Sequence, residues 1–110
     1  MKVLVFGYSD SPSRYSHLAA NMLHDFQHET IKFNPRTDDP QSLDLNFDTL
    51  TLYVSKPVSE KFQELLLSLV FKRIIFNPGS ENEQLEAKLQ AKYVEVVHGC
   101  TLVMLKTRQF

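Results

Sequence analysis

The sequence predicts a doubly wound α/β domain, a mainly parallel sheet of about five strands with helices on both faces. Three observations carry this expectation. Apolar runs rich in strand formers stand at residues 3–6, 49–54 and 73–76, each closed by turn-forming residues, and continuous apolar runs mark strands buried on both faces. Stretches with helical apolar spacing separate them. The resulting alternation of strand and helix gives parallel strands joined by right-handed crossovers.

Val3-Leu4-Val5-Phe6 is the first strand, closed by Gly7. Residues 15–26 form an amphipathic helix whose apolar stripe is Leu18, Ala19, Met22, Leu23 and Phe26. Residues 30–33 are the second strand, stopped at Asn34-Pro35, because proline lacks the ladder donor and restricts its predecessor. Residues 49–54 are the third, followed by a helix marked by Phe62, Leu65, Leu66, Leu69 and Val70. Residues 73–76 are the fourth, ended by Asn77-Pro78-Gly79. Ser80-Glu81-Asn82-Glu83 matches a capping box that opens a helix to about Gln90, with a thin buried face of Leu85 and Leu89 and Ala87 nearby. Residues 93–97 are the fifth strand, and the tail at 100–105 fits strand or helix equally. Only residues 37–48 are weakly patterned, although Leu43, Leu45 and Phe47 alternate as in a short edge strand. The first strand is expected at the centre of the sheet with the second beside it.

With 110 residues, 43% hydrophobic and 23% charged, residues 1–110 fit one domain. A core this small folds alone, and association as a homodimer would add to it. A formal net charge of -1 gives no long-range attraction for nucleic acid or an acidic membrane, so any phosphate binding has to be local. The lone Cys100 excludes an internal disulfide framework and fits a reducing, cytoplasmic setting. The apolar run at 3–6 is too short for a signal or a span, and no later segment is apolar enough.

In doubly wound sheets, ligands sit beyond the carboxyl ends of the strands. Here those ends release residues 7–14, 34–36, 55–57, 77–79 and 98–100. Gly7-Tyr8-Ser9-Asp10-Ser11-Pro12-Ser13-Arg14 precedes a helix start, where amides and the helix dipole favour an anion. It is not a G-x-G-x-x-G loop. Its serines and Arg14 suit phosphate oxygens, and they suit turn formation as well. Asn34-Pro35-Arg36 stands where an NAD-binding domain carries an acidic residue for the ribose hydroxyl. Arginine there favours a phosphorylated ribose, as in CoA or NADP, through a bidentate pair. An exposed turn arginine is the competing reading.

Taken in order, residues 3–9, Ser13-Arg14-Tyr15-Ser16, Phe33-Asn34-Pro35-Arg36, Phe76-Asn77-Pro78-Gly79 and residues 99–105 resemble the small stand-alone CoA-binding domain proteins. These are Rossmann-like and similar to the nucleotide-binding lobe of the succinyl-CoA synthetase alpha subunit. The resemblance implies coenzyme A as the ligand. It places Gly7, Ser9 and Arg14 at the pyrophosphate, with Tyr8 and Ser13 in the same loop, and Asn34, Pro35 and Arg36 along the adenosine. Ser55 and Lys56 form a further wall, and Asn77 joins the cofactor-binding set. The chain departs from the pattern at 37–48, which reads TDDPQSLDLNFD where relatives carry a further short strand and a proline-ended helical turn.

Catalytic signals are sparse. His98 lies at a strand end, where a turn-capping or solvated role competes with a catalytic one. His24 and His28 lack a third ligand for zinc, and no metal is expected. Cys100 is either a thiol facing the pantetheine arm or an inert buried cysteine. Three readings remain: a CoA-binding module, a small oxidoreductase using NADP, and a degenerate domain that serves as a protein-interaction partner.

Overall fold

The structure is a computed structural model that describes residues 1–43 and 46–110. Its elements are β1 (Lys2–Phe6), α1 (Tyr15–Asp25), β2 (Glu29–Phe33), β3 (Thr49–Leu52), α2 (Lys56–Lys61) and α3 (Gln63–Ser68), then β4 (Arg73–Phe76), α4 (Glu83–Ala91), β5 (Glu95–His98) and α5 (Thr101–Lys106). The five strands are all parallel, in the order β2-β1-β3-β4-β5. β1 is interior, flanked by β2 as expected, but the middle strand is β3.

Alternation along β1 divides the core. Val3 and Val5 pack with Ala20, Leu23 and Leu105 under α1 and α5. Leu4 and Phe6 pack with Leu50, Leu52, Ile74 and Phe76 against Leu66, Leu85 and Leu89 of α3 and α4. β3 is buried at every residue, whereas the edge strands β2 and β5 fully bury only Phe33. Both faces are therefore covered only over the three middle strands, the ones that read as continuous apolar runs.

Local chemistry overrides the sequence expectation at several places. α1 buries Ser16, Ala19, Ala20 and Leu23, while Leu18 and Phe26 of the expected stripe are exposed. The helix expected from Phe62 onward is two short helices that meet at Phe62, whose ring turns inward onto Phe6 at a centroid distance of 6.2 Å. Val70 lies beyond them, exposed, and bridges Asn46. The N-cap of α4 is Asn82, which accepts from Leu85 N–H at 3.1 Å, rather than Ser80, whose hydroxyl donates to the Asn77 carbonyl. Ala87 is exposed. Tyr93 adopts a left-handed conformation with φ of 64°. Val94 N–H then closes on the Leu89 carbonyl and Tyr93 N–H on that of Gln90, a Schellman ending that delays β5 to Glu95. The ambiguous tail is the helix α5.

Residues 37–48 contain a 3-10 turn at Pro40–Ser42 whose cap, Asp39, accepts from Gln41 N–H. Leu43 and Phe47 are buried in the core, and Phe47 stacks on Phe71. Leu45, the middle residue of the expected edge strand, lies outside the described residues.

A buried polar cluster locks the carboxyl edge of the sheet. Asn77 donates from Nδ2 to Thr51 Oγ1 at 2.7 Å and to the Leu52 carbonyl at 3.0 Å, and its Oδ1 accepts from Thr101 N–H at 2.9 Å. Thr51 and Thr101 hydroxyls meet at 2.7 Å. One amide thus joins β3, the turn after β4 and the first turn of α5. Beside the cluster, the Tyr53 hydroxyl is buried without a hydrogen-bond partner in acceptable geometry. Burial pushes the Tyr53 phenol up to about 12, an effect that the nearby Thr101 and Thr51 hydroxyls hold back only in part.

Asn77→Ala leaves buried donors and acceptors unpaired on three elements, so it should cost about 3 kcal/mol by equilibrium urea unfolding; a loss below about 1 kcal/mol would contradict the role given to Asn77. Because Tyr53 ionises higher in the folded chain than its ordinary value of 10.0, its neutral form stabilises the fold below that value. This contribution disappears as pH rises from about 10 toward 12. Tyr53→Phe should therefore match or exceed the wild-type melting temperature at pH 7 and lose less stability across that alkaline range.

Candidate functional site

β1 leaves the sheet at Gly7, which has a φ of +100°. A Cβ there would stand 2.8 Å from Val54 Cγ1 and 3.0 Å from the Tyr53 carbonyl carbon. Only glycine allows both this backbone turn and this close approach. The turn is fixed by the Phe33 carbonyl, which accepts from Gly7 N–H at 2.8 Å and Tyr8 N–H at 2.9 Å.

A cleft of about 550 Å³ opens above it, within the usual range for small-molecule sites. Gly7, Tyr8, Ser9, Ser13 and Arg14 line one side; Asn34, Pro35 and Arg36 line a second; Tyr53, Val54, Ser55 and Val58 line a third; Pro78, Gly79 and Ser80 close it. It lies beyond the carboxyl ends of β1 to β4, where β2 leads away from β1 on one side and β3 on the other. That is the switch point at which doubly wound sheets bind ligands. A second depression of about 590 Å³, lined by Asp25, Phe26, Gln27, His28, Leu105, Arg108 and Phe110, lies at the other end of α1. Size does not separate the two; topology does.

The structure brings nine of the eleven expected residues to this one cleft and leaves Lys56 and Asn77 off its lining. Lys56 is exposed at the start of α2, and the Asn77 side chain is consumed by the buried cluster. The loop also differs from a simple amide cradle. Gly7 and Tyr8 amides serve Phe33, the Ser9 amide donates to Ser16 Oγ, and the Ser11 amide donates to Ser9 Oγ. What faces the cleft instead is the start of α1, where the N-cap Arg14 makes no side-chain cap bond and, with the His17 and Leu18 amides bonded to the Arg14 carbonyl, Tyr15 and Ser16 carry the amides without helical partners. Ser55 likewise opens α2 without a side-chain cap bond.

Two positive charges border the cleft. Among the described residues neither Arg14 nor Arg36 is in an ion pair. Arg36 is carried by a turn in which Asn34 Oδ1 accepts from Arg36 N–H at 2.9 Å and Asp38 Oδ2 accepts from Asn34 N–H at 2.8 Å. Asp38, Ser16, His17 and Tyr53 all shape the site and escaped the sequence reading. Asp38 had a local signal, an acid four residues after a turn asparagine; the others depend on tertiary proximity.

The other polar candidates stand apart. His98 pairs with Glu86 and stacks on Phe76 at 5.5 Å between centroids. His24 and His28 form no metal set, and no group of three or more such ligands occurs among the described residues. Cys100 is half-buried as the N-cap of α5. No helix among the described residues is long and apolar enough to cross a membrane.

The fold has close parallels among solved structures. A crystal structure of an uncharacterized protein shares 37% identity, with a TM-score of 0.87 over 99% of this chain and 97% of the other. A protein from Thermus thermophilus superposes with a TM-score of 0.86 at 19% identity over 99% and 90% of the two chains. A conserved hypothetical protein from Pyrococcus furiosus reaches 0.74 at 23% identity over 88% and 91%. The last two establish likeness of fold alone. No curated protein matches the chain. A sequence model of the CoA binding domain matches residues 1–106, nearly the whole chain. With the parallel sheet and the switch-point cleft lined by the motif residues, that match establishes that this chain belongs to the CoA binding domain family.

Proposed function

We propose that the protein binds coenzyme A or a CoA thioester in the switch-point cleft, as a nucleotide-binding module to which no bond-making step is assigned. The observation that carries the proposal is the pair of guanidiniums, Arg14 and Arg36, that line one cleft without carboxylate partners among the described residues. CoA carries two anionic groups, the diphosphate and the ribose phosphate. Arg14, the Ser13 hydroxyl and the first amides of α1 suit the diphosphate, because charge-assisted bonds and the helix dipole both favour an anion there. Arg36, carried by the turn after β2, suits the ribose phosphate. The pantetheine arm then runs between Val54–Val58 and Pro78–Ser80, a wall of mixed apolar and hydroxyl character.

Calorimetric titration with CoA and with 3'-dephospho-CoA tests this reading. Arg14→Glu should keep the melting temperature nearly unchanged, since an exposed arginine contributes under about 1 kcal/mol, yet weaken both nucleotides by well over tenfold. Arg36→Ala should weaken CoA by about tenfold and leave the dephosphorylated nucleotide little affected. Equal affinity of the wild type for the two nucleotides would remove Arg36 from the ribose phosphate. Normal binding by Arg14→Glu would remove Arg14 from the diphosphate.

A further inference from the structure

Ser9 is held from three sides by its neighbours in the loop and helix. Its amide donates to Ser16 Oγ at 3.1 Å, its hydroxyl accepts from Ser11 N–H at 3.1 Å, and its carbonyl lies 3.1 Å from His17 Nδ1. The Tyr8 hydroxyl lies 3.2 Å from that same ring nitrogen, and the two rings stack with centroids 5.7 Å apart.

One nitrogen cannot serve both partners in every protonation state. A carbonyl oxygen only accepts, so the 3.1 Å contact with Ser9 is a hydrogen bond in the tautomer whose hydrogen is on His17 Nδ1, and the other tautomer would set two lone pairs against each other. A nitrogen that carries a hydrogen cannot accept one from Tyr8. The phenol oxygen is therefore the second acceptor of a shared Nδ1–H, and the hydrogen of Tyr8 is directed away from His17. Tyr8 lines the cleft and His17 does not. Among the described residues, no other acceptor takes the Tyr8 hydrogen. Lys32 Nζ stands over the Tyr8 ring, 5.2 Å from its centre, and puts a cation beside the phenol.

We propose that Tyr8 donates a hydrogen bond to a diphosphate oxygen of the bound nucleotide and that His17 is the positioning residue that turns the hydroxyl toward it. This rests on the CoA reading and assigns a contact to residues outside the two arginines. Tyr8→Phe removes the donor, His17→Phe removes what orients it, and His17→Asn keeps an N–H able to reach the Ser9 carbonyl.

The test is calorimetric titration of wild type, Tyr8→Phe, His17→Phe, the double variant and His17→Asn with CoA and 3'-dephospho-CoA, beside thermal melts without ligand. Each single phenylalanine variant should weaken both nucleotides about tenfold, and the double variant should be no worse than about tenfold because the two residues form one contact. His17→Asn should restore binding to within about threefold of wild type. Wild-type affinity in Tyr8→Phe, a double variant weakened about a hundredfold, or a loss confined to CoA would each overturn the inference. Should His17→Phe fail to fold, Tyr8→Phe and His17→Asn still decide between the outcomes. A wild type that binds neither nucleotide overturns the CoA reading itself, whereas binding that Tyr8→Phe leaves intact overturns only the role given to Tyr8.

Discussion

A single buried amide, that of Asn77, sets the geometry on which the carboxyl edge of this sheet depends. β3 and β4 run side by side, but nothing in strand pairing fixes where the chain goes after Phe76. The Asn77 side chain fixes it by bonding to Thr51, Leu52 and the first amide of α5 together. The main-chain carbonyl of Asn77 accepts from both Ser80 N–H and the Ser80 hydroxyl, which closes the Pro78-Gly79 turn into a wall of the cleft. An asparagine that could have bound a ligand directly instead shapes the wall that a ligand would meet. Buried polar clusters of this kind stabilise only when every member is satisfied. The orphaned Tyr53 hydroxyl beside this one is the exception that makes the local alkaline response readable.

The second constraint is the short connection between β2 and β3. Among the described residues, 37–43 and 46–48 add no strand between the carboxyl end of β2 and the start of β3, and β2 stands at the edge of the sheet. Leu43 and Phe47 are drawn into the core, and Asn46 pairs with Val70. The order β2-β1-β3-β4-β5 preserves the reversal of direction at β1 and β3, which is the feature a switch-point site needs. On the β2 side the cleft is bordered by the Asn34-Pro35-Arg36 turn. That turn is pinned by its own side chains, Asn34 on Arg36 and Asp38 on Asn34, rather than by a neighbouring strand.

Much of this was legible because burial on both faces leaves a plain mark. Val3 to Phe6 and Ile74 to Phe76 are apolar at successive positions because both faces of those strands are covered. The turn residues Gly7, Asn34-Pro35 and Asn77-Pro78-Gly79 marked the strand ends, and hence most of the cleft. What escaped was decided by competing local bonds or by tertiary proximity. Ser80 and Asn82 are both able to cap a helix, and Asn77 claims the serine. Tyr93 takes a left-handed position usually given to glycine, so its aromatic character pointed wrongly to a strand. Leu18 and Phe26 have the spacing of buried residues and lie exposed on α1. The pairing of Tyr8 with His17 spans nine residues and a turn, and no spacing rule brings those side chains together.

The proposed function puts CoA in the switch-point cleft with its diphosphate at the start of α1. The most direct measurement is an amide NMR titration of the full chain with CoA. The largest shifts should fall on Tyr8, Ser9, Ser13 to Ser16, Arg36, Ser55 and Gly79, with the far end of α1 and the β5 edge little changed. Shifts centred on Asp25 to His28 and Arg108, or no shifts at millimolar CoA, would contradict it.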